Sequence, residues 1–174
     1  MPVIWLKLVQ QLVKALNSDG TPGQVAAGIA LGAALGLTPL ANLHNLLVLA
    51  AIMLLNVSVP GAMLGWVLFT PVGFALDPLF DSVGRWLLLD LEALRPLWEE
   101  VANTPVIALA NLNNTIVLGS LIVWLLMFAP IYLLARYGVV QYRSRVYQRL
   151  RQTRAFQAIQ ASKLYNLYRL FRPE

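Results

Sequence analysis

No cysteine occurs in the 174 residues, which excludes disulfides and thiolate metal sites, and a single histidine excludes clusters of imidazole ligands. Charge is scarce as well. Asp, Glu, Lys and Arg make up 12% of the chain, against about 25% in an ordinary soluble domain. None of the four occurs between Gln24 and Leu76, nor between Pro105 and Ala135. Both runs exceed the roughly 20 residues that cross the hydrocarbon core of a bilayer. The chain therefore reads as an integral membrane protein, one bundle with appendages. Catalytic motifs are missing too: there is no GxSxG elbow, no HExxH, no phosphate-binding loop and no acidic pair within the uncharged runs. No residue presents itself as acid, base or nucleophile, and no cofactor is implied, so a non-enzymatic protein is expected.

What the sequence does contain is small residues in register. Gly28, Gly32 and Gly36 recur every fourth residue, with Ala26, Ala30 and Ala34 as a second small row, and Gly61 and Gly65 repeat the spacing. On a helix such glycines form a bare strip that another backbone can approach closely. The strip suits packing within the monomer, an oligomer interface or a pore lining. Each small-residue segment runs into a threonine–proline pair, Thr38-Pro39 and Thr70-Pro71. Proline lacks an N–H and disfavours helix at the residue before it, so both pairs are expected to break or kink a helix. Backbone freed that way must be covered by protein or line a wet cavity.

The expected fold is all-α: short Gly/Pro-broken transmembrane or re-entrant helices plus one full-length transmembrane helix, flanked by an amphipathic amino-terminal helix and a basic helical tail. Residues 1–17 place Trp5, Leu8, Val9, Leu12, Val13 and Leu16 on one side of a helix, which suits the membrane surface. Residues 21–84 hold the broken core, with short pieces over 24–37, 40–55 and 61–76. Residues 85–104 form an amphipathic segment, part of an acidic stretch from Asp77 to Thr104. Residues 105–136 hold the clearest transmembrane helix, over 115–135, with Trp124 at mid-span as a packing residue. Residues 137–174 are a basic tail. Four crossings, with three short and one full-length, are preferred over two crossings plus a re-entrant hairpin. By the excess of Lys and Arg, both termini face the cytoplasm.

The polar residues inside the uncharged runs are the candidate site, because polar groups at membrane depth are costly unless paired. At the helix breaks these are Thr38, Pro39, Asn42, His44, Asn45, Asn56, Thr70, Pro71, Asp77 and Pro78, as a seat for lipid or a partner. His44 is expected to be satisfied by a backbone carbonyl at the kink. In the tail, Arg136, Arg143, Arg145, Arg149, Arg151 and Arg154 alternate with aromatic and aliphatic residues. Directly after a transmembrane helix, such a cluster favours anionic headgroups over nucleic acid.

The stretch from Thr21 to Gly84 resembles the bacterial membrane family called domain of unknown function 2062. The resemblance rests on Thr21-Pro22, the small residues at Gly28, Gly32 and Gly36, Pro39 followed by His44, Asn56, and Thr70-Pro71 with Pro78 and Gly84. Thr70 stands where the family usually has Asn, and Ala41-Asn42 where a glycine is common. The resemblance implies a bacterial inner-membrane protein, most similar to a small stand-alone branch encoded beside a large envelope protein. It also implies envelope or lipid-linked work in a complex. The expectation is a subunit that docks a larger partner with a transmembrane anchor and assists phospholipid transfer towards the envelope. The alternative is a small homo-oligomeric transporter or channel acting alone.

Overall fold

The computed structural model of the chain describes residues 20–104 and 109–147. These form five α-helices and, among the described residues, no strand: α1 Pro22–Leu37, α2 Leu43–Leu54, α3 Val59–Arg85, α4 Arg95–Asn103 and α5 Thr115–Gln141. A π-turn Trp86–Asp90 prolongs α3, and another, Tyr142–Tyr147, prolongs α5. The expected amphipathic helix over residues 1–17 lies outside the described residues.

Helix α1 begins where the sequence supplies every start signal at once. The Thr21 side chain accepts from the Gln24 N–H at 3.2 Å, and Gln24 Oε1 accepts from the Thr21 N–H at 2.6 Å. This reciprocal box satisfies two donors that a helix start leaves orphaned, and Pro22 takes the first turn, where its missing N–H costs nothing. Eleven of the sixteen residues of α1 are buried. A helix covered on nearly all sides is the axis of its bundle.

Helix α3 lies against that axis at backbone distance. Gly28, Gly32 and Gly36 rest on the main chain at Ser58, Ala62, and Trp66 to Thr70, while Gly61, Gly65 and Gly73 rest on that of Val25, Ile29 and Gly36. A Cβ added at Gly32 would land on the Ala62 carbonyl, a spacing no real side chain occupies. The order of these contacts makes α1 and α3 parallel, and α2 carries the chain back between them. The glycine strip thus serves packing within the monomer. Helix α5 runs antiparallel to both. The Trp124 Nε1–H donates to the Ala30 carbonyl at 2.9 Å, and Arg143 Nη1 donates to the Gly20 carbonyl at 2.8 Å. Where α3 and α5 cross, Gly119 meets the Phe80 backbone and Gly84 meets that of Thr115.

The second expected break does not occur. Helix α3 is 27 residues long and runs unbroken through Thr70-Pro71 and Pro78. Pro71 removes one hydrogen bond, at a cost of about 3 kcal/mol in an ordinary helix interior. Against this, Gly65 before it and Gly73 after it both seat on the α1 backbone, at Ile29 and Gly36, which braces the helix on either side of the proline. The Thr70 hydroxyl also donates to the Trp66 carbonyl at 2.7 Å. The short piece expected over 61–76 is therefore part of a long helix, and the start of the acidic stretch, Asp77 to Arg85, belongs to it as well. Instead of three short apolar helices and one long, there are two of each among the described residues. With their π-turns, Val59–Asp90 and Thr115–Arg145 are long and apolar enough to cross a membrane, and only 22% and 28% of their apolar windows are buried in the molecule. Uncovered apolar surface on this scale is not what a water-soluble fold leaves open.

Candidate functional site at the first helix break

At Thr38-Pro39 the break is real. Thr38 takes extended backbone (φ −106°, ψ 147°), the conformation favoured before proline, and α1 stops there. Its hydroxyl lies 2.8 Å from the Ala34 carbonyl oxygen and 2.7 Å from Asn45 Oδ1, so one proton is shared between two acceptors. The Pro39 carbonyl, freed from the helix, accepts from Asn42 Nδ2 at 2.7 Å and from Asn45 Nδ2 at 2.6 Å. Asn111 completes the cluster from 69 positions away: its Nδ2 donates to Asn42 Oδ1 at 2.6 Å. The Leu43 N–H donates to the Leu109 carbonyl at 3.2 Å, which ties the approach to α5 onto the break. Asn111 holds φ 53°, left-handed backbone that asparagine tolerates better than most residues. Thr38, Asn42 and Asn45 are all buried. Amides satisfied by one another and by freed carbonyls explain how the chain turns here without exposing main chain to an apolar surrounding.

His44 stands apart. It is 8% exposed, yet neither ring nitrogen has a hydrogen-bond partner among the described residues. This corrects the expectation of a carbonyl at the kink. Helix α2 starts at Leu43, and its buried positions His44, Val48 and Ile52 recur every fourth residue. The imidazole thus begins an apolar stripe, while Asn45, about 100° round the helix from it, takes the polar contacts.

The other expected break residues scatter. Asn56 is exposed in the turn after α2. Thr70 and Pro71 lie in mid-α3 beside Gly36, level with the end of α1, and Asp77 and Pro78 follow further along the same helix. The sequence reasoning missed Asn111 as a site residue, although the run Asn111-Leu112-Asn113-Asn114 was the signal available. It also missed Asp81, which accepts from the Thr115 hydroxyl and from Arg85 Nε, the latter at 2.8 Å. Of the arginines expected to meet lipid, Arg136 and Arg145 are exposed and Arg143 is tied to Gly20. Arg149, Arg151 and Arg154 lie outside the described residues.

The arrangement offers hydrogen bonding and one imidazole. Among the described residues no three of His, Cys, Asp and Glu gather to hold a metal ion.

Residues 7–148 match the family described as "Uncharacterized protein conserved in bacteria (DUF2062)", well beyond the 21–84 that carry the motifs. An uncharacterized protein of Treponema pallidum (strain Nichols) is 30% identical over 151 residues, 87% of this chain and 93% of that protein. No solved structure matches. With most of its length matched, including the break and both long helices, the chain belongs to the bacterial DUF2062 family.

Proposed function

We propose that this protein is a non-enzymatic, multi-pass subunit of the bacterial inner membrane. It docks a larger envelope protein at the Thr38–Asn45 break and assists phospholipid transfer towards the envelope. The observation that carries the reading is His44, a buried imidazole without a partner among the described residues, next to amides that are all paired. A buried polar group left unmatched costs roughly 1–3 kcal/mol, which a partner's donor or acceptor would recover once α2 shifts to open the ring to it. The outward side of α2 adds a landing face: Leu46, Leu47, Met53 and Leu54 are all exposed. At 16 and 12 residues, α1 and α2 span about 24 and 18 Å, short of a hydrocarbon core of roughly 30 Å. Short apolar elements thin the bilayer and favour association, which suits lipid movement beside them. The cationic end of α5 supports an orientation in which the break lies on the side away from the cytoplasm.

Affinity capture of the tagged full chain from native membranes tests this. A large partner is expected in fixed stoichiometry, and His44→Leu is expected to lose it while keeping the fold. A solitary chain, or unchanged capture by His44→Leu, contradicts docking at the break. Flux through vesicles containing this chain alone would instead support the homo-oligomeric transporter.

A further inference from the structure

Gly138 breaks the pattern of the other helical glycines. Where Gly28, Gly32, Gly65, Gly84 and Gly119 each meet a neighbouring main chain, a Cβ at Gly138 would meet nothing within 4 Å. A helical glycine costs about 1 kcal/mol relative to alanine, and here no close packing explains it. Gly138 does line a groove of about 390 Å³, floored by Ile29 of α1 and walled by Leu64 and Leu68 of α3 and Leu134 of α5. The lining is almost wholly apolar. A volume of this order falls within the range of small-ligand sites. The groove lies between the two helices of membrane-crossing length, at the end where α5 leaves the bundle.

We propose that this groove seats an acyl chain of one anionic phospholipid, whose phosphate is held at the arginine end of α5. The turn that carries Ala135, Gly138 and Val139 also carries Arg136, and Arg145 follows; both are exposed, whereas Arg143 is engaged with the Gly20 carbonyl. Every Asp and Glu among the described residues lies in 77–100, towards the far end of α3 and beyond, so nothing acidic among them opposes a phosphate here. The chain's own first nineteen residues bring Lys7 and Lys14 against one acid, Asp19, a net charge of the same sign as the arginines, and suit this seat less well than an anionic lipid. The seat shares the membrane reading above but is independent of docking at the break, which lies at the opposite end of α1.

The test uses the full chain in vesicles of equal phosphatidylglycerol and phosphatidylcholine. A benzophenone amino acid at Leu134, in the groove, is compared with one at Leu126, which is exposed on α5 but does not line it. Adducts at Leu134 are expected to be enriched in phosphatidylglycerol by roughly fivefold over those at Leu126, the factor equivalent to ~1 kcal/mol for one lipid-facing arginine. Gly138→Trp, which fills open space, is expected to abolish the enrichment, and Arg136→Gln with Arg145→Gln to remove the headgroup preference. Equal adducts at the two positions overturn the proposal. So does crosslinking of Leu134 to the chain's own amino-terminal segment, to a second copy or to another protein. Capture of the large partner by Gly138→Trp stays unchanged if docking at the break is right, so the two ideas fail separately.

Discussion

The indole of Trp124, in the middle of α5, donates its N–H to the main-chain carbonyl of Ala30, in the middle of α1, at 2.9 Å. Trp124 is 8% exposed and packs edge-on to Phe128, with ring centroids 5.7 Å apart. A large ring reaches the buried axis here because Ala30, Ala33 and Ala34 each present only a methyl group. Replacing Trp124 by Phe keeps most of the volume and removes the donor. The expected cost is about 1 kcal/mol, and Trp124→Ala adds a cavity for a total of about 3–5 kcal/mol. Reversible unfolding in mixed micelles measures both, and an unchanged stability of Trp124→Phe would mean that the hydrogen bond contributes nothing.

Gly32 and Gly138 give opposite expectations for one substitution. Gly32→Ala puts a methyl group into the Ala62 carbonyl and forces α1 from α3, at a cost of at least about 1–3 kcal/mol. Gly138→Ala meets open space and gains up to about 1 kcal/mol of helix propensity. Thermal unfolding of the two variants side by side checks the signs, and a tolerated Gly32→Ala would move the seam elsewhere.

Pro71 sits in a continuous helix, so Pro71→Ala restores one main-chain hydrogen bond without changing the course of α3. The variant is expected to be as stable as the parent or more so, by up to about 3 kcal/mol. Loss of stability on removing this proline, read by the same micelle unfolding, would mean that a kink there is part of the fold.

His44→Leu separates stability from docking. With both ring nitrogens buried and unmatched, leucine at this position is expected to stabilise the isolated chain by about 1–3 kcal/mol. Asn45→Leu, by contrast, strips a donor from the Pro39 carbonyl and an acceptor from Thr38, and is expected to destabilise by about 0.6–2 kcal/mol. Should the two variants shift unfolding in the same direction, the division of this helix start into a paired and an unpaired residue is wrong.

The helix start at Thr21 and Pro22, two residues before the expected 24, was not read as a cap, whereas the small-residue strip and the break at Thr38-Pro39 are local in sequence and readable there. Whether a threonine–proline pair breaks a helix is not. The two pairs look alike, and the difference is that Gly65 and Gly73 seat on α1 on either side of Pro71, a fact of tertiary packing. Asn111 was missed for a related reason: its partner Asn42 lies in another run, and its own neighbours gave only a polar patch before a helix. The groove left still less trace, because its walls come from three helices and its one odd residue, Gly138, looks like any glycine of a membrane helix. The single histidine was legible as a position of interest. Its lack of a partner was not, since pairing depends on which face of α2 turns inward.

The central claim is that the glycine seam joins α1 and α3 of the same chain. Because the protein has no cysteine, Ile29→Cys with Leu64→Cys gives a clean pair across that joint, between side chains of one packed cluster. Short-span thiol crosslinking in native membranes, followed by denaturing electrophoresis and mass mapping, reads the outcome. The account predicts an intramolecular link formed within the monomer band. A link found only in dimers, or none between these positions while both thiols react, would contradict it.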